Sequence, residues 1–249
     1  MAQRESVLES DALLIAESEG VGLSKAAERA RLLKSLRCTT RIEKAAWDGG
    51  AVLVAGVDEV GRGALFGPVV AAACILKREY RIRGLRDSKQ LSEADREALA
   101  LRIREHCVAF SVAAVDAAHI DEINIYQASR LAMAEAVRQL APAPDHLLVD
   151  GNASIESHCG QQTVIHGDAL SASIAAASIL AKVHRDQLMR EWDPVYPAYG
   201  LASNKGYSAP KHLAALREHG PSPLHRQSFA PVWNARTSQG VMAFMEDES

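Results

Sequence analysis

The chain has 249 residues, 48% of them hydrophobic and 24% charged, a balance that supplies a core for one generous domain and argues against disorder. No run of eighteen apolar residues is present, which excludes an ordinary membrane-spanning helix, and the acidic opening MAQRESVLESDALLIAESEG lacks the apolar stretch of a secretion signal. Net charge is −3, yet Ser171 to Arg236 carries eight Lys and Arg against four Asp and Glu, so the last third has the sign that suits phosphate.

The segment before about Trp47 reads as helix, with Ala26, Ala27, Ala30, Leu32, Leu33 and Leu36 at helical spacing among Arg and Lys. Asp48-Gly49-Gly50 breaks it. Leu53 to Val57 and Val69 to Leu76 are apolar runs joined by a glycine-rich turn and predict a hairpin. Ser92 is placed to cap a helix running towards His106, with Glu93 and Asp95 in its first turn. Val108 to Val115 alternates as a third strand, and Ile125 to Leu140 predicts a helix ended by Ala-Pro-Ala-Pro. Leu147 to Val149 and Gln162 to Ile165 read as short strands, and Leu170 to Leu188 as a long helix rich in Ala and Ser, whose small residues suit a close helix-to-sheet contact. Asp193 to Ala209 predicts an ordered loop before a helix beginning at Pro210. Three meandering strands followed by strands alternating with helices imply one mixed sheet covered by helices.

The segment richest in chemistry is Gly56-Val57-Asp58-Glu59-Val60-Gly61-Arg62-Gly63. Adjacent carboxylates at the end of an apolar strand are costly near a core unless a cation compensates them, although a solvated strand end would also hold them. Asp150 follows the strand Leu147 to Val149, and Asp168 precedes the Ala-rich helix; singly they read as a turn residue and a helix N-cap. Acids at three element ends converging on one face would repel one another unless they bound hard divalent cations through oxygen. Because neighbouring side chains on a strand face opposite ways, Asp58 and Glu59 share one site only if the backbone twists or bulges there. Gly61-x-Gly63-x-x-x-Gly67 also resembles a dinucleotide fingerprint with one residue too many, but that fingerprint needs a helix directly after it, and Pro68-Val69-Val70 favours a strand. Asp87, at the spacing of a ribose-binding acid, lies in a polar turn and not after a strand.

Taken together, several ordered motifs resemble bacterial ribonuclease HII, of the type 2 ribonuclease H family. They are Gly56 to Gly63 with Gly67-Pro68-Val69-Val70, Asp87-Ser88-Lys89, Asp121-Glu122-Ile123-Asn124, and Leu148-Val149-Asp150-Gly151. Gly167-Asp168 leading into Ser173 to Val183, Asn204-Lys205-Gly206-Tyr207, Leu224-His225-Arg226 and Ser228-Phe229-Ala230-Pro231 complete the set, which covers about Ala51 to Val232. The resemblance implies an α/β, ribonuclease H-like fold with a five-stranded mixed sheet flanked by helices. It implies a catalytic domain over 51–236, with a helical N-terminal extension (1–50) before it and a C-terminal tail (237–249) after it.

By the same resemblance, Asp58, Glu59, Asp150 and Asp168 hold two divalent ions, Mg²⁺ or Mn²⁺, for hydrolysis that leaves 5′-phosphate and 3′-hydroxyl ends. The substrates implied are RNA/DNA hybrids and single ribonucleotides embedded in duplex DNA. Gly61, Arg62 and Gly63 would contact the ribose 2′-hydroxyl, Tyr207 would stack on the neighbouring deoxyribose, and Ser88 and Lys89 would grip a phosphate. Lys205 and Arg185 are further candidates for backbone phosphates. Ribonuclease HIII is the nearest alternative, but it usually carries Gly-Lys-Gly at Gly61-Arg62-Gly63 and has a larger N-terminal domain. A catalytically silent nucleic-acid binder would be expected to lose acids, and all four are present.

Cys38, Cys74, Cys107 and Cys159 form no Cys-x-x-Cys pair and read as reduced thiols of a cytoplasmic protein. Trp47, Trp192 and Trp233 are too scattered for a stacking platform and read as core. Beyond the matched region stands Gln239-Gly240-Val241-Met242-Ala243-Phe244. Gln239 with the apolar anchors Met242 and Phe244 resembles the short peptides by which replication and repair proteins dock on a sliding clamp; a terminal turn packed on its own domain, or a simply disordered tail, is the plainer reading.

Overall fold

The structure, a computed structural model, describes residues 36, 38–79 and 81–236. Most of the expected helical arm, and the tail with Gln239, Met242 and Phe244, lie outside the described residues.

The first described helix, α1 (Arg41–Asp48), is followed by the hairpin β1 (Val54–Val60) and β2 (Val69–Leu76). Helix α2 (Glu93–His106) has Ser92 as N-cap, its hydroxyl accepting from the Asp95 N–H at 3.1 Å. Strand β3 (Cys107–Val115) completes the antiparallel meander. Helix α3 (Ala117–Arg138) begins earlier than the hydrophobic pattern suggests, because Asp116 caps it through the His119 N–H. Asn124, with φ +68°, breaks its path, which is why the periodicity becomes legible only from Ile125 onward.

Strand β4 (His146–Asp150) and strand β5 (Gly160–Val164) follow, then a single turn, α4 (Gly167–Leu170), and the long helix α5 (Ala172–Trp192). The expected loop after it contains two short helical turns, Pro197–Tyr199 and α6 (Leu201–Asn204), before α7 (Pro210–His219). The sheet order is β3-β2-β1-β4-β5, with β4 parallel to β1 and β5 parallel to β4. The five-stranded mixed sheet with flanking helices is therefore present as the resemblance implied.

Helix α3 covers one face through Ile120, Ala128, Ala132 and Met133 against Ala55, Val57 and Val69. Helices α5 and α2 cover the other, with Ala176, Ile179, Leu180, Leu99 and Ile103 against Val70, Ala72 and Cys74. The small-residue face of α5 makes the close contact its composition suggests: a Cβ on Gly56 would lie 2.1 Å from the Ser173 carbonyl carbon. A third cluster, built on Phe66, Met189, Tyr199, Leu201 and Leu216, packs the loops beyond the sheet. Among the described residues, no helix is long and apolar enough to cross a membrane. Trp233, expected in the core, is instead 51% exposed, with the Arg236 guanidinium over its ring.

Candidate active site

β1 and β4 run side by side with Val57 paired to Val149, so Asp58 and Asp150 end neighbouring strands. The short turn α4 brings Asp168 to the same place: the Gly167 N–H donates to Asp150 Oδ1 at 2.7 Å. Asp58 is 5% exposed. Burial first, then the charges of Asp150 and Glu59, raise its carboxyl well above the usual carboxylate range, against the Ser178 hydroxyl, which favours the anion. Asp150 is also raised, by burial and by Glu59, although the Gly167 N–H opposes this. Asp168 is raised by burial and by Asp150, with Lys89 opposing. Asp58, Asp150 and Asp168 thus each sense at least one other acid, and Glu59 is among those felt by Asp58 and Asp150.

Of the twist or bulge expected at Asp58-Glu59, the bulge is absent: β1 and β2 pair without a break from Ala55↔Ile75 to Val60↔Val70. Asp58 lies on the face covered by α5, and Glu59 on the alternate face with Ala55 and Val57. Both still act on Asp150 and on each other because β1 outruns its β4 pairing after Val57. Past that point β4 no longer pairs with β1, and Asp58 and Glu59 both lie close enough to Asp150 to interact with it electrostatically.

Each carboxylate holds a protein donor. Asp58 Oδ1 accepts from the Glu59 N–H at 2.7 Å, Glu59 Oε1 is 3.3 Å from Arg62 Nη1, and Asp168 Oδ2 is 3.5 Å from Lys89 Nζ. Among the described residues, no three acidic, His or Cys side chains close into a ready cation cage; mutual repulsion keeps like charges apart, and each takes the nearest donor instead. The donor set nevertheless fits a hard divalent cation: all oxygen, in negative excess, and partly withdrawn from water. Lys89 balances only part of that excess. Burial acts to lower its pKa, but Asp168, Asp87 and Asp58 outweigh this and hold it raised.

Ser88 is buried, and its hydroxyl lies 2.9 Å from that of Ser178 on α5. Ser178 in turn faces Asp58, so Ser88 supports an acid from behind and does not stand open to a phosphate.

Gly61, Arg62 and Gly63 form the turn after β1. Gly61 has φ +90°, and a Cβ there would meet Arg185 Nε at 2.2 Å, so the position requires glycine. Gly63 has open space around it, and Arg62 is half exposed. Tyr207 lies nearby on the loop after α6, with the Arg185 guanidinium 5.3 Å from its ring centroid.

Two arginines join these loops. Arg185, considered above for phosphate contacts, is fully buried; it donates to the carbonyls of Pro68, Phe66 and Lys205 at 3.3, 3.1 and 2.8 Å. Lys205, the other such candidate, is mostly turned to Glu93, with Nζ at 3.5 Å. Arg226, also fully buried, donates to the carbonyls of Gly67 and Arg62 at 2.9 and 2.8 Å. The chain satisfies buried carbonyls of irregular loops with guanidinium forks, which no periodicity in sequence reveals.

A buried histidine pair completes the frame. The Ser222 N–H donates to His225 Nδ1 at 3.0 Å, which makes His225 Nε2 the protonated nitrogen, donating to His212 Nε2 at 3.0 Å. His212 Nδ1–H then donates to the Tyr207 carbonyl at 2.8 Å. Burial, and for His225 also the neighbouring His212, lowers both imidazole pKa values, His225 to about 3.

Glu43 of α1 is a further functional candidate without a sequence signal. It is 1% exposed, and its Oε1 accepts from Ser171 Oγ, Ser173 N and Ser173 Oγ at 2.6, 2.8 and 2.7 Å. It thereby clasps the start of α5 just after Asp168. The helix assigned by sequence to the extension is packed against the catalytic sheet's own helix.

The dinucleotide reading fails on topology, since a strand and not a helix follows Gly67. A family model described as Ribonuclease HII matches residues 55–232. A relative named Ribonuclease HII from Koribacter versatilis (strain Ellin345) is 66% identical over 231 residues, spanning 93% of this chain and 91% of its own. The crystal structure of the ribonuclease H2 from Pyrococcus horikoshii OT3 is similar with a TM-score of 0.66 at 25% identity, over 75% of this chain and 98% of that one. The structure of the PCNA:RNase HII complex from Archaeoglobus fulgidus gives 0.62 at 28% identity, over 72% of this chain and 95% of that one.

Proposed function

The chain belongs to the ribonuclease HII family, hydrolases of RNA/DNA hybrids, and on that premise we propose that it also cuts at single ribonucleotides embedded in duplex DNA, leaving 5′-phosphate and 3′-hydroxyl ends. One observation carries the reading: four carboxylates from three element ends share one partly buried locus beside the 2′-hydroxyl candidate Gly61-Arg62-Gly63. Asp58, Glu59, Asp150 and Asp168 would hold two divalent cations, Mg²⁺ or Mn²⁺. Such ions supply positive charge against the charge developing on a phosphodiester and acidify water.

The chain's own residues do the rest. Lys89 holds Asp168 and offers a cation to a phosphate; Ser88, through Ser178, orients Asp58. Gly61 and Gly63 let the backbone approach a ribose closely, and Arg62 lies beside Glu59 to meet its 2′-hydroxyl. Tyr207, stacked on Arg185, offers a face to the neighbouring deoxyribose, so RNA on one side and DNA on the other would be read together.

The test is cleavage of a duplex carrying one ribonucleotide, with Mg²⁺ or Mn²⁺ and in EDTA. Cutting on the 5′ side of the ribonucleotide, only with metal, with an all-DNA duplex left intact, is the expected outcome. Similar rates on both duplexes would refute the 2′-hydroxyl reading.

The archaeal relative was solved bound to PCNA, which supports a tether to the sliding clamp here through Gln239, Met242 and Phe244. Clamp binding should be lost in a Met242→Ala, Phe244→Ala variant; retention would end that part of the proposal. The family chemistry and the four free cysteines also support a cytoplasmic location.

A further inference from the structure

A groove of about 740 Å³ lies between α1 and the loop after β2. Its walls carry five cationic side chains, Arg41, Lys44, Lys77, Arg81 and Arg83, against two acids, Glu43 and Asp48. All five are exposed, and none forms an ion pair within 4 Å among the described residues. Glu43 spends its charge inward on Ser171 and Ser173. In a chain of net charge −3, cations gathered along one groove without an ion-pair partner among the described residues are a local positive field.

The walls are braced. Arg78 lies 5.1 Å above the Trp47 ring and donates to the Val52 carbonyl at 3.1 Å, tying the loop to the end of α1. Arg102 of α2 donates to the Arg83 carbonyl at 3.0 Å and fixes the loop from the other side.

Two structural links tie the walls of the groove to the acid site. Thr39, at its rim, pairs with the segment after Asp168: the Thr39 N–H donates to the Leu170 carbonyl at 3.1 Å, and the Ala172 N–H to the Thr39 carbonyl at 3.0 Å. The loop bearing Lys77, Arg81 and Arg83 runs on through Arg86 to Lys89, whose ammonium touches Asp168.

We propose that this groove is a second nucleic-acid binding surface, which holds the sugar-phosphate backbone of the same duplex beyond the position where the acids act. The inference rests on the duplex substrate of the previous section. A polyanion with evenly spaced charges fits a set of solvated cations that lack ion-pair partners among the described residues, and the cations would act by displacing its counterions.

Binding in EDTA, followed by fluorescence anisotropy on short and long duplexes with one ribonucleotide, tests this without cleavage. The parent should bind the long duplex more tightly than the short one. In a Lys44→Ala, Lys77→Ala, Arg83→Ala variant that advantage should vanish, and the slope of log affinity against log salt should become shallower by about three. The same advantage and the same slope in a variant that melts like the parent would overturn the proposal. Should the triple variant fail to fold, Lys77→Glu, a single change on an exposed loop, must still flatten the slope; an unchanged slope would overturn the proposal equally. A parent that binds through the groove but leaves the embedded ribonucleotide uncut would refute the proposed substrate and leave the groove standing.

Discussion

At the scale of single residues, charge and burial dominate. Burial first, and neighbouring carboxylates after it, raise the carboxyls of Asp58 and Asp150, and a bound cation would draw both into the anionic form. Asp58→Asn or Asp150→Asn is expected to lower turnover by at least about two orders of magnitude, since an amide cannot replace an anionic oxygen in holding a divalent ion. Folding should survive, with an unfolding temperature equal to or above the parent's as repulsion is relieved. Near-normal cleavage by either variant would remove that residue from the active site.

The histidine pair makes a separate prediction. Burial depresses His225 from 6.5 to about 3, so between those values the unfolded chain binds a proton that the folded chain refuses. Stability from this residue is complete above about pH 6.5 and is lost as pH falls through the window, by about 2 kcal/mol on reaching about pH 5. Thermal unfolding of the parent and of His225→Gln across this range checks it. The variant should lose less stability in acid, and parallel curves would show that folding does not depress the His225 pKa.

Residue identity alone was a mixed guide here. The four acids were legible because each follows or precedes an apolar run. Arg185 was not, because a guanidinium in sequence reads as a surface cation, whereas the fold buries it to serve three carbonyls.

At the scale of elements, the site depends on how closely α5 lies on β1. Gly56 has no room for a methyl, since the contact opposite is the Ser173 backbone and not a yielding side chain. Gly56→Ala should therefore push the helix away from the strand and destabilise the protein by about 1–3 kcal/mol. A larger fractional loss should appear in activity, because Asp168 and Ser178 move with the helix while Asp58 stays with the strand. Unfolding and cleavage measured on the same preparation decide this; a stable, fully active variant would show that the spacing is slack. The hairpin, the capped α2 and the Ala-rich helix were readable from periodicity and caps. The start of α3 was not, because Asn124 interrupts its pattern and the preceding turn depends on the Asp116 cap. The regular pairing of β1 excludes the bulge among the distortions expected: β1 outruns its β4 pairing after Val57, and both acids still interact with Asp150 there.

At the scale of the whole molecule, repulsion among the acids is a cost that a divalent ion would relieve only in the folded state. Addition of Mg²⁺ or Mn²⁺ should raise the unfolding temperature over that in EDTA, by about 2.7 kcal/mol of stability at a hundredfold excess over the dissociation constant. The rise should shrink or vanish in Asp58→Asn, and a full rise there would place the stabilising ion elsewhere.

The sequence by itself determined the order of the five strands and the main helices along the chain, and it marked the four acids as candidates. Both are local matters: hydrophobic period, caps and turn residues act within a few neighbours, and an acid beside an apolar run is visible in the chain. Only the tertiary structure decided that Glu43 clasps Ser171 and Ser173, that Arg185 and Arg226 knit the Gly61 and Tyr207 loops, that His225 orders His212, and that exposed cations of α1 and the β2 loop line one groove. These contacts join residues far apart in the chain, and their worth comes from burial, which strips water from a charge or a carbonyl and makes its partner indispensable. Burial is a property of the packed whole, and no window of sequence contains it.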